Sequence, residues 1–361
     1  MRRFAVLPTL RNARWLIPLD GPRVASGAFQ LYATYRTKTR IQHAAGRLLA
    51  RVGMRFYRDS IVVAQRATPP LESQVRDVVG TDTVRLALTS GTPGGHPKPT
   101  FLVLDHGGHP IAFGKLGASA LRRSAARREA EALSHFASIN DWAGMAPGLM
   151  FAGEVDGTYV TMQTPLRGST GPAELSASHR RFLDLLARKE RRPIGASAFV
   201  RALDGRALAL QEVRPDATHA MAVLRPLLDG ISASPVIVHG DFAPWNLRQR
   251  DGRIAAFDWE WWSIDGPPLI DLLHHVLQVG FLLRRWTVER AYAEVRAIAG
   301  TRPHGLEPED VFVLSGLGVV DYLLRIVEDG YSDRSPLAVA YGELLARILA
   351  LLPTNAPLLP R

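Results

Sequence analysis

The stretch HGDFAPWNLRQRDGRIAAFDWEWW, His239 to Trp262, carries three oxygen-bearing side chains at set intervals: Asp241, Asn246 five residues on, and Asp258 twelve residues after that. Between them Asp251-Gly252 predicts a tight hairpin. A strict two-residue turn pairs Asn246 with Phe257 and sends Asn246 and Asp258 to opposite faces. Either the turn is longer or bulged, or the two residues lie beyond the paired section. In each case the hairpin brings them close, with Asp241 just upstream on the same rim. Two carboxylates and an amide oxygen suit Mg²⁺, which takes few protein ligands and completes its shell with water and phosphate oxygens. Asp and Asn often only terminate strands. Three of them, preceded by VIVHG and followed by DWE, exceed that explanation.

The elements around this stretch fall into two textures. From Val84 come short β-like runs, VRLALT, TFLVLD and IAFGKLG, then a helical pattern over SALRRSAARREAEALSHF, then GLMFAG and TYVTMQ bracketing a turn at Asp156-Gly157. They predict a five-stranded antiparallel sheet with one helix. After Gly168 helical periods recur around 174–190, 216–230, 269–284, 287–299, 308–328 and 336–351, with the hairpin set among them. The expected organisation is a basic segment over 1–80, a sheet-plus-helix lobe over 81–168 and a helical lobe over 169–361. A cleft between two lobes is a favoured small-ligand site.

The chain of 361 residues has no cysteine, which excludes disulfides, thiolate zinc sites and thiol nucleophiles. This fits a reducing compartment, and the expected location is the cytoplasm. The start, MRRFAVLPTLRNARW, is broken by Pro8, Arg11 and Arg14 and reads poorly as a signal peptide. No run reaches the roughly 18 apolar residues of a membrane span. The net charge of +10 resembles a nucleic-acid signal until it is located. Residues 1–66 hold 13 Lys and Arg against only Asp20 and Asp59, a net of +11, so the remainder nets −1. In RIQHAAGRLLARVGMRF, Ile41, Ala45, Leu48, Leu49, Val52 and Phe56 share one helical face, flanked by Arg40, Arg47, Arg51 and Arg55. Such a helix either docks on an anionic membrane surface or partner, which would make the protein peripheral to a membrane, or packs on the main domain with its arginines in water. Nucleic acid is not the expected partner.

HGDFAPWN followed by FDWE resembles the signature of the aminoglycoside phosphotransferase and choline kinase group, relatives of the protein kinases that phosphorylate small-molecule hydroxyls. The resemblance implies an α+β, protein-kinase-like bilobal fold and an ATP- and Mg²⁺-dependent phosphotransferase. It implies that Asp241 positions the acceptor hydroxyl and takes its proton, that Asn246 and Asp258 hold Mg²⁺ on the ATP phosphates, and that His239 braces the loop. Glu260 either reaches a second metal or orders the loop. Gly240 replaces the arginine with which many protein kinases read a phosphorylated activation loop, so no phosphorylation switch is expected. A kinase-like site also requires a strand lysine and a helix glutamate. Lys115 in IAFGKLG is the strand candidate. Glu129, within the apolar stripe of its helix, points to the core and needs a cation, whereas Glu131 points away. MQTPLRG resembles the family's adenine-reading hinge, which places Gln163, Thr164 and Pro165 beside the base through their main chain.

SGTPGGHPKP has no G-x-G-x-x-G, yet amides around Thr92 to Gly95 could cover phosphates. In GPPLIDLLHH, Asp271 is expected to tie down the catalytic loop, and His274-His275, 100° apart on a helix, are expected to be structural. Trp259, Trp261 and Trp262 suit a quaternary ammonium or a sugar alike, and Asp321, Glu328 and Asp329 line a pocket or, more simply, a solvated face. The acceptor is a sugar, an amino alcohol or an aminoglycoside-like compound. The competing reading is a pseudokinase, or an adaptor acting through residues 1–66; retention of Lys115, Glu129, Asp241, Asn246 and Asp258 argues against decay.

Overall fold

The computed structural model describes residues 1–31, 37–64, 68–91, 96–139, 142, 144–188 and 190–352. The chain divides into two compact units, the first containing Met1–Thr170, Arg248–Arg250 and Ala255–Glu260, the second Gly171–Leu247, Asp251–Ile254 and Trp261 onward.

In the first unit eight strands form one antiparallel sheet: β1 (Arg2–Leu7), β2 (Trp15–Pro18), β3 (Asp59–Val63), β4 (Arg85–Thr89), β5 (Thr100–Leu104), β6 (Pro110–Gly117), β7 (Leu149–Val155) and β8 (Thr158–Gln163). Their spatial order is β3-β1-β2-β4-β5-β6-β8-β7. The five strands expected from sequence are β4 to β8. The expected boundary at residue 80 is corrected by β1 to β3, which extend the same sheet. They escaped notice because β1 pairs with β3 across more than fifty residues, Arg2 opposite Val63, a contact no local pattern announces. Helices α1 (Pro22–Ala28), α2 (Thr37–Arg51), α3 (Pro70–Val79) and α4 (Ala120–Ala137) complete the unit.

β5 reads TFLVL, apolar at every position after Thr100, because both of its faces are covered. Leu102 and Leu104 join Ala5, Ile17, Val24 and Phe29 in one core cluster, while Phe101 and Val103 join Val75, Val84, Val160 and Met162 in another. The period of two splits one continuous run between two cores.

α2 lies on α1 by an unexpected side. His43 meets the Phe29 ring edge-on at 5.2 Å, Ala50 is buried, and a Cβ on Gly46 would come within 2.9 Å of that ring. Small residues thus set the close approach. Phe56 joins the core cluster beside α1 and Leu49 is half-buried, but Ile41, Ala45, Leu48 and Val52 face solvent. The helix thus packs on its unit with its arginines exposed, as one of the two readings has it, but the face that packs is not the apolar stripe.

The second unit is mostly helical: α5 (Ala177–Leu185), α6 (Ala198–Ala209), α7 (Pro215–Gly230), α8 (Ile270–Gln278), α9 (Val288–Gly300), α10 (Pro308–Glu328) and α11 (Pro336–Leu349). All but α6 follow the periods read from sequence. α6 carries Gly205 in its interior, and helix propensity falls there by about 1 kcal/mol; burial of Phe199, Val200, Leu203 and Ala207 outweighs this. Further short strands, distributed over both units, lie outside the large sheet. β9 (Ser169–Thr170) pairs with β13 (Leu247–Arg250), β10 (Arg192–Pro193) with β11 (Ser232–Ala233), and β12 (Val236–Val238) with β15 (Ser263–Gly266), while β14 (Arg253–Ala256) follows β13. Among the described residues no helix is long and apolar enough to cross a membrane.

The core beneath α8 is sensitive to acid. His275 is buried, its Nε2 is 3.1 Å from the Ala173 carbonyl, and its ring lies 4.8 Å from that of His179. Burial, reinforced by His179, pushes its pKa down from 6.5 to about 4. The folded state keeps His275 neutral while the unfolded chain binds a proton, so the stability present above about pH 6.5 is lost as pH falls toward 4. Urea titrations should show a loss on the order of 3 kcal/mol across that window. His179, lowered by burial as well, adds in the same direction. His275→Gln should flatten the slope; an unchanged slope contradicts this assignment.

Candidate functional site

In the first unit the site is built on β6 and α4. The Ser119 hydroxyl accepts from the Arg122 N–H at 3.3 Å and starts α4, whose buried side carries Ala125, Glu129, Ala132, Leu133 and Phe136. Lys115 Nζ, on β6, donates to Glu129 Oε1 at 2.9 Å and also to Asp258. Burial by itself lowers the Lys115 pKa, but Asp258, Glu129 and Glu260 outweigh it and raise the ammonium above the ordinary lysine value. For Glu129 burial prevails over Lys115 and raises the carboxyl. The lysine is therefore a fixed cation among buried acids.

Asp258 and Glu260 are held by the residue between them. Asp258 takes a left-handed backbone with φ 71°, a strained geometry for a residue with a side chain and one that concentrates at functional turns. Trp259 is fully buried, donates from Nε1 to the Ala256 carbonyl at 2.9 Å, and packs against Phe136 at 4.4 Å. That indole anchors the turn to α4. Glu260 is buried and paired with Lys98, while its carbonyl accepts from Arg128 Nε at 2.9 Å. Buried Arg122 donates to the His96 carbonyl at 2.7 Å, so the loop before β5 is tied from two sides. Thr92 to Gly95 lie outside the described residues. Lys98, between Pro97 and Pro99, escaped the sequence reading because no periodicity marks a loop lysine.

Gln163, at the end of β8, is buried. Thr164 exchanges two hydrogen bonds with Gly148: its N–H donates to the Gly148 carbonyl and its hydroxyl accepts from the Gly148 N–H, both at 2.8 Å. Thr164 thus spends its main-chain donor within the unit, and Pro165 has none.

In the second unit the site is a tethered loop. The Asp271 carboxylate, on α8, accepts from the His239 N–H at 2.7 Å and the Gly240 N–H at 2.8 Å, as expected of a structural tie. Burial raises its pKa against the pull of His239 and these two N–H groups. The Asp241 N–H donates to His239 Nδ1 at 3.1 Å. Gly240 has φ 87°, and a Cβ there would lie 2.5 Å from the Trp261 carbonyl oxygen, so only glycine fits. Its own carbonyl accepts from Arg325, which also pairs with Asp321.

Both Asp241 oxygens are engaged. Asn246 Nδ2 lies 2.7 Å from Oδ2 and His274 Nε2 lies 2.9 Å from Oδ1. The sequence reading of His274 as structural did not include this contact with the Asp241 carboxylate. His275, one residue on, turns into the core, the 100° divergence that separates adjacent helical residues. With its nitrogen spent on Asp241, Asn246 keeps its amide oxygen as an acceptor. Asp251 and Gly252 both have positive φ, 50° and 70°, so the turn has two residues. Asn246 precedes β13 and Asp258 follows β14, so both lie beyond the paired section and the opposite-face objection lapses.

Asp321 is buried, and although burial raises its pKa, Arg325 and Arg206 lower it further. Arg206 joins Asp321 at 2.6 Å to Glu328 at 2.7 Å. The solvated face expected for Asp321 and Glu328 is corrected to an ion-pair cluster. Arg206 and Arg325 also lie 5.5 and 4.8 Å from the Trp261 ring centroid. Among the described residues no three His, Cys, Asp or Glu side chains form a metal cage. Lys115→Met would leave Glu129 buried without its cation and should cost about 3–5 kcal/mol in urea unfolding. Lys115→Met with Glu129→Leu should regain most of that; a double variant no better than the single one refutes the pairing energetics.

Three solved structures share this fold. Aminoglycoside phosphotransferase APH(4)-Ia is 16% identical with a TM-score of 0.53, over 78% of this chain and 98% of that one. A thermostable mutant of it, in ternary complex with AMP-PNP and hygromycin B, gives 17% and 0.54 over the same shares. Choline kinase from Cryptosporidium parvum Iowa II gives 11% and 0.50, over 78% and 94%. No curated protein matches the chain in sequence. Residues 115–308, more than half of the chain, match the phosphotransferase enzyme family APH. The chain belongs to that phosphotransferase family and has a protein-kinase-like α+β fold.

Proposed function

We propose that the protein transfers the γ-phosphoryl group of ATP to a hydroxyl of a neutral, hydroxylated small molecule such as a sugar, with Mg²⁺ as cofactor. The observation that carries the reading is the double restraint on Asp241, whose oxygens are held by Asn246 and His274. A carboxylate so fixed orients an acceptor hydroxyl and takes its proton as the oxygen bonds to phosphorus and the bond to the ADP oxygen breaks. Lys115, steadied by Glu129, supplies positive charge for the α- and β-phosphates, and the segment Gln163 to Pro165 flanks the adenine.

By the family resemblance Asn246, Asp258 and Glu260 would supply oxygen donors to a hard cation that retains water and phosphate ligands, and Asn246 has its oxygen to give. Mg²⁺ held there would neutralise phosphate oxygens; the rest is positioning by the chain. The charge inventory around Trp261 favours a neutral acceptor. Asp321 and Glu328 are already paired with arginines, and Trp261 already carries two guanidinium groups, so these residues offer little to a polycation or a quaternary ammonium.

ADP release from Mg·ATP across sugars, nucleosides, amino alcohols and aminoglycosides tests the assignment. Turnover on a neutral sugar class, lowered by Asp241→Asn by a factor of about 10² or more, is expected. Turnover that survives Asp241→Asn removes the base, and turnover only on aminoglycosides removes the neutral acceptor. Once an acceptor is in hand, His274→Leu should lower kcat by up to about a hundredfold with the KM for Mg·ATP unchanged. His274→Gln, which can still donate to Asp241, should recover part of that loss; equal effects on kcat and on nucleotide KM would make His274 a folding residue only.

A further inference from the structure

α2 presents its large apolar residues to solvent. Ile41 and Leu48 are 65 and 64% exposed, on the side opposite the His43–Gly46–Ala50 surface that meets Phe29, and Val52 and Met54, just past the end of the helix, are 59 and 60% exposed. Arg40, Arg47, Arg51 and Arg55 are exposed along the same stretch. From Gly21 to Arg58 the chain has no acidic residue. A stripe of large aliphatic residues held outward by a packed helix, with arginines beside it, is an arrangement that water penalises and that a second phase with negative charge would relieve.

We propose that this face docks the protein on an anionic lipid bilayer, with Ile41, Leu48 and Val52 entering the boundary between headgroups and acyl chains and the arginines reaching lipid phosphates. The charge distribution favours this occupant. Residues 1–66 net +11 while the rest of the chain nets −1, so attraction to an anionic surface is concentrated where the stripe lies. A second copy seated on the same face would oppose arginine to arginine, a like-charge contact that costs affinity. Nucleic acid would engage the arginines and leave the aliphatic residues wet. The 15-residue helix is shorter than a membrane span and lies along the body of its unit, which suits a surface anchor. The inference stands on this face alone and is independent of the acceptor.

Co-sedimentation of the full chain with vesicles of phosphatidylcholine alone, or of phosphatidylcholine with phosphatidylglycerol, tests it. Binding to the mixed vesicles only, weakened by salt, is expected. Arg47→Gln and Arg51→Gln should each lower the partition coefficient about fivefold. Leu48→Gln should lower it about tenfold. All three positions are exposed, and circular dichroism with unaltered thermal unfolding verifies that the variants fold. Equal binding to both vesicles, no binding to either, or binding indifferent to Leu48→Gln overturns the proposal. So does a dimer of the free protein that Leu48→Gln dissociates, since the face would then belong to a second copy.

Discussion

The candidate site in the first unit depends on one electrostatic constraint: a lysine ammonium inside the protein must be surrounded by carboxylates. Lys115 satisfies it with Glu129 and Asp258, one from a helix and one from a turn far along the chain. Removing the lysine would leave two carboxylates without their shared cation in a region where desolvation costs several kcal/mol per ion. The arrangement of β6, α4 and the turn after β14 follows from that requirement. Trp259, buried against α4, supplies the apolar side of the same arrangement by fixing the turn that bears Asp258 and Glu260.

The second unit meets a comparable demand with backbone groups. The loop bearing Asp241 has N–H and carbonyl groups that neither helix nor sheet satisfies, and buried polar groups left alone are costly. Asp271 takes two of the N–H groups and Arg325 takes the Gly240 carbonyl. Arg325 is in turn held by Asp321, and Asp321 by Arg206. The charged cluster of α6 and α10 is thus a brace behind the loop, which explains why acidic residues that looked available for a cationic ligand are already committed. The brace fixes the backbone of the loop, while the Asp241 carboxylate itself is held by Asn246 and His274.

Much of the site was legible because its residue types are improbable together and their spacing is short. Asp241, Asn246 and Asp258 flank one short hairpin in sequence, and Glu129 declared itself by occupying an apolar stripe where a carboxylate needs a partner. Other residues were hidden for definite reasons. His274 looks like any polar residue on a buried helix until its contact with Asp241 is seen, and Lys98 reaches Glu260 from a proline-flanked loop across 162 positions. β1 pairs with β2 close by, Leu7 opposite Trp15, but with β3 only across more than fifty residues, a pairing no local pattern announces.

The sequence by itself determined the local elements, the oxygen-donor set at the hairpin, the lysine and glutamate that must pair, and the concentration of basic charge before residue 67, because each is written in residue type and period. Only the tertiary structure decided which side of α2 would pack. Periodicity identifies an apolar stripe but not what it will meet, and close packing of small residues, Gly46 and Ala50, against Phe29 prevailed over burial of Ile41 and Leu48. It likewise decided which carboxylates remain available to a ligand, since Asp321 is neutralised by arginines four and more than a hundred residues away, and charge pairing over such distances leaves no trace in a linear pattern.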